Sequence, residues 1–189
     1  MYNKKPVRKK IYIKNMINDC CVRSLKRDFE DNDIKVITIK PGFAEIEYDY
    51  EKTDNKKISE ILLLSGLSLL KTNEEKIAER IKIAVKELIF EMNNVDSIVK
   101  KSEYIVEKLG YNYRYLSRLF SENEHITLEK YIIEKKIERI KQMIVENEYS
   151  LSEIAYMMDY SSVQYLSSQF KKETGMTVSE FKEKYLSDR

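Results

Sequence analysis

A chain of 189 residues with 35% charged and 42% hydrophobic side chains has room for one ordinary domain and a smaller one, and its composition is that of a globular protein. Its net charge of +2 gives little overall attraction for polyanions, so any nucleic-acid contact has to rest on local lysines and arginines. The longest nearly unbroken apolar run, Ile61 to Leu70, is far short of the roughly 20 residues of a bilayer span. The basic start MYNKKPVRKK leads into Lys14, Asn15 and Asn18 instead of the apolar core of a signal peptide. A cytoplasmic location is expected, with no membrane partner and both cysteines reduced.

Alternation over Lys10 to Lys14 predicts a first strand, and Cys21, Val22, Leu25 and Phe29 mark one apolar face of a following helix. Ile34 to Ile39 alternates again, and Pro41-Gly42 turns the chain into a third strand, Ala44 to Tyr50. A second helix from Lys57 or Ile58 buries Ile58, Ile61 and Leu62, Gly66 can end it, and Leu67 to Leu70 is short enough for a last strand. The order strand, helix, strand, strand, helix, strand predicts an α+β, ferredoxin-like sandwich over residues 1–72, with both helices on one face of an antiparallel sheet.

Within this segment NMINDCCV resembles the metal-binding loop of heavy-metal-associated domains, Met-x-Cys-x-x-Cys, between first strand and first helix. Met16 and Cys21 fit that pattern, but Asn18 stands where the first cysteine belongs. A soft monovalent ion such as copper(I) wants two thiolates, and Asn supplies none. Cys20 and Cys21 are the remaining candidates, though a bridge between neighbouring cysteines is strained. No metal and no other cofactor are therefore expected, and the segment reads as a module for dimerisation, partner binding or sensing.

Thr72 or Asn73 caps a predicted connector helix, residues 73–94, whose Ile77, Ile81, Ala84, Val85, Leu88 and Met92 form one stripe. Asn93, Asn94 and Val95 mark the boundary to an all-α segment, 95–189.

That segment is organised around SLSEIAYMMDYSSVQYLSSQFKKETGMTVSEF, Ser150 to Phe181. Leu151, Ile154, Ala155 and Met158 fall on one helical stripe, with Ser150 or Ser152 as N-cap and Glu153 completing a capping box. The chain breaks at Asp159 to Ser161, and Ser161 or Ser162 can cap a second helix that turns Leu166 and Phe170 inward and Gln164, Ser167, Ser168 and Lys171 outward. The same pattern stands at Tyr104 to Tyr131. Leu116, Phe120, Thr127 and Tyr131 precede Leu166, Phe170, Thr177 and Phe181 by fifty positions, whereas Ile105 and Gly110 precede Ile154 and Asp159 by forty-nine. The second turn is thus one residue longer. Two copies are too few for a helical solenoid and suit a tandem helix-turn-helix.

Asp96 to Tyr185 resembles the DNA-binding domain of AraC/XylS-type transcription regulators, most specifically in Leu151 to Lys182, with the aromatic after the turn, Phe170-Lys171-Lys172 and Gly175-x-Thr177. The sequence departs from that pattern at Asp159 and His125, where glycine is usual, and near Val178, where a proline is missing. The resemblance implies sequence-specific contacts with double-stranded DNA. It places them at Asn112, Arg114, Ser117 and Arg118 on the first recognition helix, Asn112 to Ser121, and at Ser162, Val163, Gln164, Ser167, Ser168 and Lys171 on the second. Arginine pairs bidentately with guanine and glutamine with adenine, which makes Arg114, Arg118 and Gln164 the residues expected to discriminate bases. RNA polymerase and a second copy of the chain are further candidate partners.

Leu128 to Val145 joins the two motifs, with Ile133, Ile137, Ile140 and Ile144 as its predicted buried seam and a length of about 27 Å at 1.5 Å per residue. Its Lys135, Lys136, Arg139 and Lys141 can meet phosphate or pair with Glu134 and Glu138. One histidine, four glycines and no nucleophile-base or metal-spaced cluster leave no basis for an enzyme. Three functions stay open: a DNA-binding regulator with an N-terminal module, a protein-interaction adaptor with reduced DNA binding, and a metal-responsive regulator or metal-trafficking protein.

Overall fold

The structure, a computed structural model, describes residues 6–91 and 101–186. The chain divides into two compact units, Met1–Ile83 and Ala84–Arg189.

The first unit runs β1 (Val7–Lys14), α1 (Asp19–Glu30), β2 (Lys35–Lys40), β3 (Phe43–Tyr48), α2 (Asn55–Leu64) and β4 (Ser68–Leu69). The strands lie in the order β2-β3-β1-β4, and every neighbouring pair is antiparallel. Because successive strand residues face opposite ways, Ile11, Ile13, Ala44 and Ile46 point together into a core closed by Leu25 and Phe29 of α1 and Ile58 and Leu62 of α2. Each large apolar side chain buried there contributes about 1.5–3 kcal/mol. The register sends Arg8, Lys10, Tyr12 and Lys14 of β1 to the other face, with Phe43, Glu45 and Glu47 of β3 and Lys35, Thr38 and Lys40 of β2 beside them. A register shift between Val36 and Thr38 marks a bulge in β2.

Element limits differ from the expected ones for local reasons. Helix α2 starts at Asn55, before the apolar period begins, because the Asp54 carboxylate accepts from the Lys57 amide at 2.8 Å. Strand β4 shrinks to two residues because the Leu67 amide donates to Leu62 O at 2.8 Å, closing the end of α2. Met16, which fits the metal-loop pattern in sequence, is fully buried in the core. Asn18, in the place of a thiolate, caps α1 by accepting from the Cys21 amide at 2.8 Å. Cys20 is exposed and Cys21 half-buried, both as free thiols.

Helix α3 (Asn73–Lys86) begins with a reciprocal cap: Thr72 Oγ1 accepts from the Glu75 amide at 3.1 Å, and Glu75 Oε2 accepts from the Thr72 amide at 3.0 Å. Its buried Glu79 and Lys82 pair at 2.7 Å. Glu79 Oε1 also accepts from the Asn15 amide at 2.8 Å, where Asn15 holds a left-handed φ of 68°. At Gly42 the backbone is left-handed, φ 73°, and a Cβ would come 2.8 Å from Ile83 Cδ1, so a side chain there is strained and requires the end of Ile83 to shift. The expected single helix to Met92 is instead α-helical to Lys86 and π-helical over Glu87–Glu91; Met92 and the boundary residues Asn93 to Val95 lie outside the described residues.

The second unit continues with α4 (Lys101–Leu109), α5 (Tyr113–Glu124), α6 (Leu128–Glu146), α7 (Leu151–Met157), α8 (Val163–Thr174) and α9 (Val178–Leu186). The internal repeat recurs in three dimensions. Asn112 caps α5 and Ser162 caps α8, while Gly110 and Asp159 hold φ 76° and 54° in the turns before them, and Ser161 is the extra residue of the second turn. Phe120 packs on Tyr131 at 5.1 Å between centroids, and Phe170 on Phe181 at 5.4 Å. The buried residues of α6 are Leu128, Tyr131, Ile137, Ile140, Met143 and Ile144, whereas Ile133, expected in that seam, is only half-buried. Among the described residues no helix is long and apolar enough to cross a membrane.

Candidate nucleic-acid interface

Helices α5 and α8 are amphipathic, and their apolar residues decide which side chains face out. Leu116, Leu119 and Phe120 are buried on α5, so Arg114 and Arg118 are exposed, with Ser117 and Ser121 half-buried between. Leu166 and Phe170 are buried on α8. This leaves Gln164, Ser168 and Lys171 exposed and Ser167 and Val163 half-buried. Asn112 and Ser162 have a different occupation: Asn112 Oδ1 accepts from the Tyr115 amide at 2.9 Å and Ser162 Oγ from the Tyr165 amide at 3.1 Å, which satisfies helix-end donors.

The free chemistry of α5 is therefore guanidinium. Arg118 Nε lies 3.9 Å from Glu122 Oε1, a pair about two-thirds exposed on both sides and worth under about 1 kcal/mol. Arg118 can leave such a partner for a stronger acceptor. The outer face of α8 instead carries the amide of Gln164 and the hydroxyl of Ser168, and its only cations, Lys171 and Lys172, stand in the last turn, so the start of this helix is suited to less charge-dependent contacts.

Several residues at this surface escape a sequence reading. Tyr113 donates to Glu129 Oε1 at 2.8 Å, and burial, then that bond and charge, push its phenol above the ordinary tyrosine range. Ser117 Oγ lies 3.5 Å from the same carboxylate. Tyr111 and Tyr115 pair at 5.2 Å beside the first turn, and Tyr160 and Tyr165 at 5.6 Å beside the second. These rings stand at repeat-matched positions, the signal by which they could have been found.

The cations of α6 are largely engaged within the unit. Lys136 stands 4.7 Å over the Tyr160 ring and Lys141 5.9 Å over Phe181. Lys135 pairs with Glu138 at 2.7 Å and Arg139 with Glu146 at 3.3 Å. Of the two uses open to them in the sequence, packing and pairing is the one the geometry displays.

Residues 105–184 match the family described as "Helix-turn-helix domain". That match covers both capped turns and both amphipathic second helices. Over residues 105–184 this chain is similar to helix-turn-helix domains of the AraC type. The chain is similar to the xylose operon regulatory protein of Haemophilus influenzae, 37% identical over 67 residues, which cover 35% of this chain and 17% of that protein. It is also similar to the xylose operon regulatory protein of Escherichia coli K12, 28% identical over 83 residues, covering 44% of this chain and 21% of that one. The matched residues thus span about a fifth of the length of those relatives. A crystal structure of a DNA-binding transcriptional dual regulator from Escherichia coli K-12 shares the fold, with a TM-score of 0.50 and 22% identity over 62% of this chain and 96% of that one. Within the helix-turn-helix domain, α5 and α8 are the second helices of the two motifs, and α6 joins them.

Proposed function

We propose that this chain is a sequence-specific regulator of transcription that binds double-stranded DNA through α5 and α8. The observation that carries this reading is the tandem arrangement. Two second helices, each capped and turned by the same local geometry, present polar faces on either side of a 19-residue helix of about 28 Å. Successive major-groove faces on one side of B-DNA lie about 34 to 36 Å apart, so adjacent grooves are within reach if the duplex bends or α8 sits less deeply. Arg114 and Arg118 are the proposed guanine readers, Ser117 a supporting contact, and Gln164 the reader of adenine on α8, with Val163, Ser167, Ser168 and Lys171 around it. Asn112 and Ser162 reach phosphate, in this reading, through backbone amides at the helix ends they cap.

Hydroxyl-radical footprinting of the full chain on genomic fragments tests this proposal. Protection of two adjacent major grooves on one side of the duplex, stronger in one half, is the expected result. Protection confined to one groove, or no site-specific protection, overturns it.

The first unit is proposed as a ferredoxin-like module, 1–72, for dimerisation, partner binding or sensing, followed by a connector, 73–94, and the DNA-binding segment, 95–189. Its element order βαββαβ and strand order β2-β3-β1-β4 support that reading. Any kinship with heavy-metal-associated domains is proposed as degenerate, because Asn18 works as a helix cap and Met16 is interior. RNA polymerase and a second copy are the proposed protein partners, and the cytoplasm the proposed location.

A further inference from the structure

We infer that the open face of the four-stranded sheet is a binding platform for single-stranded nucleic acid, held through base faces and phosphates and indifferent to the sugar. Tyr12 of β1 and Phe43 of β3 are register partners on the two central strands, at the rung next to the Pro41-Gly42 turn, with ring centroids 5.4 Å apart and planes 63° from each other. Both project on the side away from α1 and α2, and Tyr12 is 38% exposed. An apolar surface is normally folded inward, and here two aromatic rings stand instead among charges.

Those charges are lopsided. Arg8, Lys10, Lys14, Lys35 and Lys40 share the face with two carboxylates, Glu45 and Glu47, and Glu47 is taken up between Arg8 at 3.1 Å and Lys35 at 3.5 Å. The whole chain carries only +2, so this face concentrates positive charge that the composition does not. Two ammonium groups lie over the rings themselves: Lys76 is 4.5 Å from the Tyr12 centroid and Lys40 5.7 Å from that of Phe43. A base stacking on either ring displaces the ammonium sideways, to where the phosphate of the same nucleotide follows. Rings for bases with lysines for the backbone are the combination by which single strands are bound without sequence preference, and a four-stranded sheet with aromatics on its central strands is an established support for it. A duplex hides its base faces, so the rings select against it. An acidic peptide satisfies the lysines but leaves the rings without a flat partner.

The test measures binding of the full chain to fluorescein-labelled oligothymidylate and oligouridylate of about twelve nucleotides by anisotropy, over a range of salt. The two strands are expected to bind within threefold of each other. Tyr12→Leu combined with Phe43→Leu is expected to weaken both by about tenfold or more and to leave affinity for a random duplex unchanged. Thermal melting checks the fold of that variant. If it does not fold, Lys10→Glu combined with Lys40→Glu, at exposed positions, carries the test through the same selective loss. Unchanged oligonucleotide binding in the folded ring variant overturns the inference, as does a loss seen only on Arg114→Ala with Arg118→Ala, which places the strand on α5. Self-association in sedimentation that the same sheet substitutions abolish also overturns it, since a second copy then covers the face.

Discussion

His125 and Gly175 occupy the same place in the two copies of the repeat, and both hold left-handed backbone, φ 58° at His125 and 76° at Gly175. Each ends its helix by donating its amide four residues back, to Ser121 O at 3.1 Å and Lys171 O at 2.9 Å. Glycine adopts that conformation freely, and a residue with a Cβ adopts it at a cost of about 1 kcal/mol. His125→Gly is therefore expected to stabilise the helical unit by up to about 1 kcal/mol, a rise of several degrees in Tm. Differential scanning calorimetry checks this, and a fall in Tm would show that the imidazole makes a compensating contact.

Asn112→Ala and Ser162→Ala should each cost about 1 kcal/mol of stability by removing an N-cap. Their effect on DNA should be similar for specific and random duplexes. Urea melts beside gel-shift measurements separate the two, and a loss of sequence preference without loss of stability would assign these side chains to base reading instead.

Arg118→Ala is expected to weaken a specific site by about 1–3 kcal/mol while changing random-duplex binding much less. The comparison has to be made at one fixed salt concentration. Equal losses on both duplexes mean that the guanidinium meets phosphate only.

Tyr160 lies under the Lys136 ammonium, and burial, first, then the neighbouring Tyr165 and Glu173, push its phenol up to about 12. The folded value exceeds the unfolded one of about 10, so the stabilisation is complete below pH 10. It is lost as the pH rises from about 10 to 12, because the unfolded chain releases its proton first. Denaturant midpoints measured across that window should fall less steeply in Tyr160→Phe than in the parent chain. Parallel curves would mean that other tyrosines govern the alkaline transition.

Much of this architecture is legible residue by residue. The repeat shows in the sequence because Leu116, Phe120 and Tyr131 and their counterparts recur at fixed spacing, and a buried helical face leaves few alternatives at such positions. Ser150 and Glu153 likewise announce their capping box, which the structure contains with both bonds formed. Helix α2 begins earlier than its apolar period, because that period marks burial and not helix onset: Asn55 to Lys57 is helical without a buried side chain. A spacing of four from Ile137 admits Ile133 to the seam on period alone, but Leu128 and Tyr131 are the residues buried in the first turn of α6, and Ile133 is left half-buried. Tyr113 and Glu129 lie sixteen residues apart, and no local period links them. The aromatic pair on the sheet depends on the register of β1 against β3, which alternation alone does not specify.

The bulge at Val36 to Thr38 has a consequence for how the first unit behaves in company. Strand β2 forms one margin of the sheet, and its backbone is kinked there between Lys35 and Lys40; the other margin, β4, offers only Ser68 and Leu69. A straight, uncharged margin templates the strand of a neighbouring molecule and so seeds fibrils, whereas a kinked, lysine-flanked one and a two-residue one do not. The fold thereby keeps crowded copies from zipping edge to edge, and leaves its faces as the surfaces through which it can meet anything else.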